Sequence, residues 1–545
     1  MKTITIEVPE DLGAAVAASD EDLPQALRLA AAIPRSGPKP AYYGVSSRHR
    51  LLDFSLTVGP VTITPWGMNT PLRRAARRAM ALGLVGLLWA GRATGQPQAP
   101  QLNPSVADRF EVTTFASGLD FPKSLQLLPD GSFLVGTSRS DTGNLFNSTG
   151  ELVRLIDADH DGQADGPGQV LASGLPGAIT SVRRAGDLVF VASSLPGSER
   201  ITAMRLGATP SDPLALVGNI DLEYPAGWQH TTSGMAVREV AGQPGQFELF
   251  FNVGSRDNAT RTTATVPISG LVDGVANADS IYRVTVQDSG GTPAFTGLEQ
   301  VAAGLRNASG LAFHPGSGDL VFDDNGIDGL VNPDEPFSAD ELNRIVGAQI
   351  GGPVEDFGFP DAFVPYRTGG QGGAGDDPLV AFQPIPDPLT GSESEGPAEI
   401  AFAPASFQPI LGDGLFVGFH GRFNLGGLAN EENPLVFYSL ATDSYFHFFE
   451  NDQPGIGHLD GLLSTPDALY VADLSSTGDL FNSRGTGVIY RIRAVPEPSA
   501  VVLIGLGGLA LGSLALRRRD RPAARRSRPT LGSDLSDSIR RRAQT

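Results

Sequence analysis

One pattern recurs six times along this chain and leaves few folds open to it. An apolar strand runs into a tight turn, and a second strand dense in Val, Phe, Leu and Tyr runs out of it. The copies occupy 124–138, 179–193, 233–255, 309–326, 398–421 and 459–476. Each alternates as strands do, with Pro, Asp or Gly at the turn. Several are followed by a further strand, as in GELVRLID, DSIYRVTV and GVIYRI. Such a unit cannot bury both of its faces alone, but radial repetition around an axis buries them all. The expected fold is all-β, a six-bladed β-propeller over 96–493, with a β-sandwich as the alternative. The strand at 110–116 is expected to complete the last blade. The insertions 258–280 and 327–395 are expected to lie as loops over one face.

Composition agrees with many short strands and turns: 67 Gly, 42 Pro and only 18% charged residues in 545. There is no cysteine, which excludes disulfides, thiol nucleophiles and thiolate metal sites. The net charge is −20, and residues 96–516 hold 19 basic against 50 acidic residues. So acidic a body excludes a nucleic-acid partner and suits Ca²⁺ and uncharged substrates.

Both ends carry address signals. From Met68, Arg73, Arg74, Arg77 and Arg78 precede the twelve-residue apolar block Ala79–Ala90, and Ala93-Thr94-Gly95 offers small residues for signal peptidase. Residues 68–95 thus read as a signal peptide, with an N-terminal signal helix. Residues 1–67 read as a miscalled or fused extension whose first 32 residues form a strand and a helix. At the other end, Ala500–Leu516 is an uncharged run of seventeen, followed by Arg517, Arg518 and Arg519. It reads as a C-terminal transmembrane helix at the short end for a membrane span, with the C-terminus cytoplasmic. Val495-Pro496-Glu497-Pro498-Ser499, the apolar run and the arginines together resemble the PEP-CTERM sorting signal (494–519). That resemblance implies exosortase processing and an exported, surface-bound or released protein. Residues 520–545 form a basic, disordered tail.

Histidine is scarce in the body: His160, His230, His314, His420, His447 and His458. His230 stands just before the inner strand of a blade, where a propeller directs side chains toward its axis. Arg306 and Asn307 precede the next inner strand, and Asp323, Asp324 and Asn325 end its hairpin partner. His420 and Arg422 occupy the hairpin exit of another blade. Polar residues at matching places on neighbouring blades converge on one face of the ring.

Arg306-Asn307-x-x-Gly310-Leu311-Ala312-Phe313, Asn325-Gly326 and Asp340-Glu341-Leu342-Asn343 resemble the glucose/sorbosone dehydrogenase propellers. His230-x-Thr232, Gly254-Ser255 and Phe419-His420-Gly421 resemble the sorbosone branch. The resemblance covers about 105–493. It implies pyrroloquinoline quinone and Ca²⁺ as cofactors and a small carbohydrate or alcohol as substrate. It implies His230 as the base for the hydroxyl proton, with Arg306 and Asn307 facing the quinone. Asn325, His420 and Arg422 would border the cofactor; Gly326, Asp340 and Glu341 would hold Ca²⁺. The chain departs from the family at Ser233, where an Arg is usual, at Arg422-Phe423, and in the shorter acid of Asp324-Asn325-Gly326.

A separate signal is Asp157-x-Asp159-x-Asp161-Gly162-x-x-Asp165. Carboxylates at alternate positions before a Gly turn converge on one hard cation, although no bidentate Glu closes this loop. The leading reading is an exported quinone-dependent sugar dehydrogenase. A non-enzymatic propeller binding glycans or proteins is the alternative, and a Ca²⁺-dependent lactonase-like hydrolase is the third.

Overall fold

The computed structural model describes residues 6–8, 52–54, 99–195, 197–328, 335–365, 372–383, 396–421, 434–450, 453 and 455–496. The chain divides into two compact units, 1–93 and 94–545. In the first, Ile6–Val8 pairs antiparallel with Leu52–Phe54. The strand expected near the N-terminus is there; the helix after it, the signal helix, the sorting segment beyond 496 and the basic tail lie outside the described residues. Among the described residues no helix is long and apolar enough to cross a membrane.

The second unit is a six-bladed β-propeller. All six segments singled out in the sequence are the two innermost strands of a blade. Blade 1 runs outward through Ser124–Leu127, Phe133–Arg139, Thr149–Leu155 and Gln169–Pro176. Blade 2 begins at Ala178–Ala185, blade 3 at Met235–Glu239, blade 4 at Leu311–Phe313, blade 5 at Pro397–Phe402 and blade 6 at Gly461–Ser464. These inner strands touch in ring order, and that of blade 6 returns to that of blade 1. The outermost strand of blade 6 is Phe110–Leu119, paired antiparallel with Gly487–Ala494.

Second strands are covered by a neighbouring blade on each face, so they read as apolar runs rather than alternations. Leu415–Phe419 and Ala468–Asp473 are buried throughout. A separate apolar core fills each of the six interfaces between blades. Between blades 5 and 6, for example, Phe416, Phe437 and Phe448 pack on Leu469, Val471 and Tyr490. Each such side chain contributes about 1.5–3 kcal/mol on burial.

The insertions behave differently from the expectation of loops over one face. Thr265–Gly270 and Gly274–Asn277 form a hairpin that pairs with Ala215–Glu223 and widens blade 2 to six strands. Val380–Phe382 supplies the outer strand of blade 4, and Glu355–Asp356 adds to blade 3 in parallel. Free backbone groups at a sheet edge recruit passing chain.

The central channel is crossed by one ion pair. Arg183 of blade 2 reaches Glu399 of blade 5, the opposite blade in a ring of six, at 2.7 and 2.9 Å. Both side chains are largely buried. Removing one partner strands a buried charge, whereas replacing both does not. Glu399→Ala should therefore cost about 3–5 kcal/mol in urea unfolding, and the double variant Arg183→Met/Glu399→Leu should recover most of it. A single variant as stable as the native protein would remove this strut from the account.

Candidate functional site

The site is built from the loops that enter the inner strands, and carboxylates at the ends of second strands hold those loops. In blade 4, Asp324 accepts the backbone N–H of Arg306 (2.9 Å) and of Asn307 (2.6 Å). Asp323 accepts those of Ser309 and Gly310. Asp473 repeats the device in blade 6, accepting from Gly457 and His458 at 2.9 Å each. A carboxylate taking two amide donors fixes the chain at the mouth of the channel without help from solvent.

His230 is fixed from its own blade. Its backbone N–H donates to the Ser255 carbonyl, and its Nδ1 lies 2.7 Å from Ser255 Oγ. Ser255 Oγ donates its proton to the Asp257 carbonyl at 2.8 Å. That oxygen therefore accepts from His230, so Nδ1 carries the ring proton and Nε2 keeps its lone pair. A Cβ on Gly254 would come within 2.7 Å of His230, which requires glycine there. Burial, and then the charge of Arg306, hold the His230 pKa well below the usual imidazole value. The ring is neutral at pH 7.

Arg306 is 4% exposed. Its Nη2 donates to Asn258 Oδ1 (2.6 Å) and to Asp328 (2.9 Å), and its Nε donates to Asn258. Asn307 Nδ2 donates to Asn325 Oδ1 at 2.7 Å, and Asn325 Nδ2 to the Pro397 carbonyl at 2.9 Å. Blades 3, 4 and 5 are thereby linked around the mouth.

Across from these stands His420 with two partners, Asp460 and Lys123, that the sequence reading did not single out. His420 Nδ1 is 2.9 Å from both oxygens of Asp460, and Lys123 Nζ reaches Asp460 at 2.5 Å. Burial works against the Asp460 charge, yet His420 and Lys123 hold its pKa below the usual carboxylate range. The His458 ring stacks on that of His420, centroids 4.1 Å apart. Burial, and then His420, lower the His458 pKa to about 4. Lys123 and Asp460 are 337 positions apart, so no spacing signals the pair. Laying the blade entries over one another does: Asp460 and His458 precede Gly461 much as Ser309 and Asn307 precede Gly310.

His230, Arg306, Asn307, Asn325 and His420 all line one cavity of about 610 Å³, together with Lys123 and Asp460. Asp328, paired with Arg306, also lines it, and the other polar lining includes the uncharged Thr180, Ser194, Gln229 and Thr231. Three other residues expected at the site stand outside the cavity wall. Gly326 donates its N–H to buried Asp340 at 2.7 Å, and Glu341 accepts the N–H of Val364. Arg422 lies outside the described residues. In the acidic loop Asp157, Asp159 and Asp165 bring one oxygen each within 4.8 Å of the others. Asp161 does not join them; its carboxylate accepts the N–H of Gln163.

Residues 494–519 match the PEP-CTERM protein-sorting motif. The chain carries an exosortase sorting signal. It marks a secreted protein. No curated protein matches the sequence. Among solved structures, the chain is similar to the PQQ-bound aldose sugar dehydrogenase of Streptomyces coelicolor, at 18% identity and TM-score 0.43, covering 71% of this chain and 99% of that one. It is also similar to the holo PQQ domain of the pyranose dehydrogenase of Coprinopsis cinerea, at 16% identity and TM-score 0.44, covering 73% and 98%. A calcium structure of a family AA12 carbohydrate-active enzyme of Trichoderma reesei gives 17% identity and TM-score 0.44, covering 74% and 100%. The functional reading therefore rests on the cavity itself.

The tautomer of His230 is directly measurable. In ¹⁵N-resolved NMR the native ring should show a protonated Nδ1 and a bare Nε2, and Ser255→Ala should shift the population toward the Nε2–H form. An unchanged spectrum in the variant would show that Ser255 does not set the tautomer.

Proposed function

We propose that this protein is an exported oxidoreductase that oxidises a hydroxyl-bearing carbon of a sugar, polyol or hydrated aldehyde. The observation that carries this reading is His230: a neutral imidazole, its proton fixed on Nδ1, with Nε2 available in a cavity that also holds Arg306. Loss of hydride from a C–H bond requires that the proton of the attached hydroxyl leave with it. Nε2 of His230 is the group suited to take that proton. The cavity volume lies in the range of cofactor sites, and Arg306 and Asn307 supply charge-assisted and amide donors at its wall. These residues fit pyrroloquinoline quinone, with Asn325, His420 and Arg422 as its further border. The quinone, when bound, accepts the hydride. Arg306, already locked by Asn258 and Asp328, offers positive charge that needs no reorganisation during the reaction. Gly326, Asp340 and Glu341 are the proposed Ca²⁺-holding group behind the cavity, where burial, and then the charge of Asp324, raise the Glu341 pKa. Asp157, Asp159 and Asp165 are proposed to hold a second, structural Ca²⁺, with Asp161 outside the set. Membrane attachment through the C-terminal segment before exosortase processing belongs to the same proposal.

Purified protein supplied with pyrroloquinoline quinone and Ca²⁺ should reduce a dye acceptor with members of an aldose panel. His230→Ala should lower kcat about 100-fold or more with little change in KM. No dye reduction by the native protein with any sugar, polyol or aldehyde would reject the reading. The pH profile adds a second check. A base whose pKa is lowered stays competent as pH falls, so the acid limb of kcat/KM should lie below the ordinary imidazole range. Arg306→Gln should move that limb upward by removing the neighbouring charge.

One observation favours the alternative of a non-enzymatic glycan-binding propeller. Both cations of the described wall are already paired, Lys123 with Asp460 and Arg306 with Asp328. Such a wall suits a neutral ligand better than an anionic one. Sugar binding without dye reduction would establish this alternative.

The acidic loop has its own test. Chelation with EGTA should lower Tm by several degrees, and Asp157→Asn/Asp159→Asn should reduce the difference. Equal Tm values with and without chelator would leave the loop as a solvated turn.

A further inference from the structure

Two seven-residue strings in the propeller share six residues: Thr142-Gly-Asn-Leu-Phe-Asn-Ser148 after the second strand of blade 1, and Thr477-Gly-Asp-Leu-Phe-Asn-Ser483 after that of blade 6. The two loops meet. Leu145 N–H donates to the Leu480 carbonyl at 2.9 Å, and Ser483 N–H donates to the Gly143 carbonyl at 3.0 Å. Each loop is turned by its own third residue: Asn144 Oδ1 accepts the N–H of Phe146, and Asp479 Oδ1 that of Phe481. Beneath them Leu145 and Leu480 are buried with Phe121 and Leu474 in a small core of their own. Gly143 has positive φ, and a Cβ there would meet the Ser483 nitrogen at 2.9 Å.

The result is a preformed pair of aromatic rings. Phe146 and Phe481 lie 5.4 Å apart at 36°, yet remain 52% and 46% exposed. Two bound loops, two backbone hydrogen bonds and a dedicated core hold in water the two side chains that burial would most favour. Phe146, like half-exposed Leu195, also lines the cavity that holds His230. The platform is thus continuous with the mouth of the site.

We propose that this pair is a binding subsite for a second sugar unit, so that the ligand is the end of a neutral oligosaccharide rather than a free monosaccharide. This rests on the reading of the cavity as a sugar site. The C–H face of a pyranose carries slight positive charge and packs on the negative face of an aromatic ring. The cavity wall beside the platform is charge-balanced and rich in hydroxyls and amides, as a neutral polyol requires. The body's large excess of acidic residues disfavours an anionic polymer. One end of the chain would sit against His230, and the next unit would lie on Phe146 and Phe481.

The test is binding by calorimetry to the full-length protein, with glucose, maltose, maltotetraose and cellotetraose as probes. The native protein should bind the tetrasaccharide of the preferred linkage at least tenfold tighter than glucose. Phe481→Ala and Phe146→Ala should each remove most of that gain, Phe481→Ala leaving glucose affinity unchanged, and Phe481→Trp should keep it. Each variant is exposed, and an unaltered Tm confirms its fold. A length gain that survives in both alanine variants would overturn the platform and leave the cavity reading intact. A length gain lost in the variants, in a protein that never reduces dye, would support the platform and overturn the dehydrogenase reading. Failure to bind any of the four sugars would overturn both. A concentration-dependent dimer abolished by Phe481→Ala would reassign the pair to self-association and also overturn the proposal.

Discussion

A ring of blades is stable only when its last interface closes, and here the closing strand comes from the far end of the unit. Phe110–Leu119 must find Gly487–Ala494 after all the intervening chain has folded. The pairing buries Phe115 against Phe133 and Tyr470, and Phe110 against Phe407 and Phe448. One strand therefore completes the interfaces on both sides of blade 6. Pairing of such sequence separation is slow to form, because loop-closure entropy is spent before contacts repay it. It also makes the six loops that enter the inner strands a single rigid rim, since none of them can shift without opening an interface.

That rigidity is what permits so much polar material in the channel. The buried carboxylates of Asp324 and Asp473 take two and three backbone donors respectively, and both have pKa values raised to about 7 by burial. Glu199 does the same for Ser233, taking its N–H and its hydroxyl, with its pKa raised to about 8 by burial. A group held this way costs desolvation energy and stabilises little by itself. Its contribution is positional. The clamps aim His458, Asn307 and Arg306, and the apolar cores between blades carry the stability.

The fold was legible because its signal is local and repeated. A hairpin with an apolar second strand can be read from fifteen residues, and six copies over-determine a propeller. The destination of the 258–280 insertion was not legible, because any open sheet edge competes for a polar hairpin and the sequence does not rank the edges. The site divides in the same way. His230, Arg306 and Asn307 stand out at blade entries, and Asn325 and His420 at hairpin exits, and all five line the cavity. Lys123 and Asp460 were missed because their partnership spans the closure of the ring. Pairs across blades 1 and 6 are the least visible of all to linear reading.

The same closure explains why the mouth is asymmetric. On the side of blades 3 and 4 the wall presents a bare imidazole nitrogen and a locked guanidinium. On the side of blades 6 and 1 it presents a carboxylate already shared by His420 and Lys123, and beyond it the two phenylalanines. A ligand held by both sides meets chemistry at one end and shape at the other. Polar groups aimed by clamps discriminate strongly among hydroxyl arrangements, because a missing hydroxyl leaves a buried partner unpaired. An aromatic surface discriminates weakly by stereochemistry and strongly by length. On the proposed reading, reaction at one fixed carbon with tolerance along the rest of the ligand is the specificity such a division would produce.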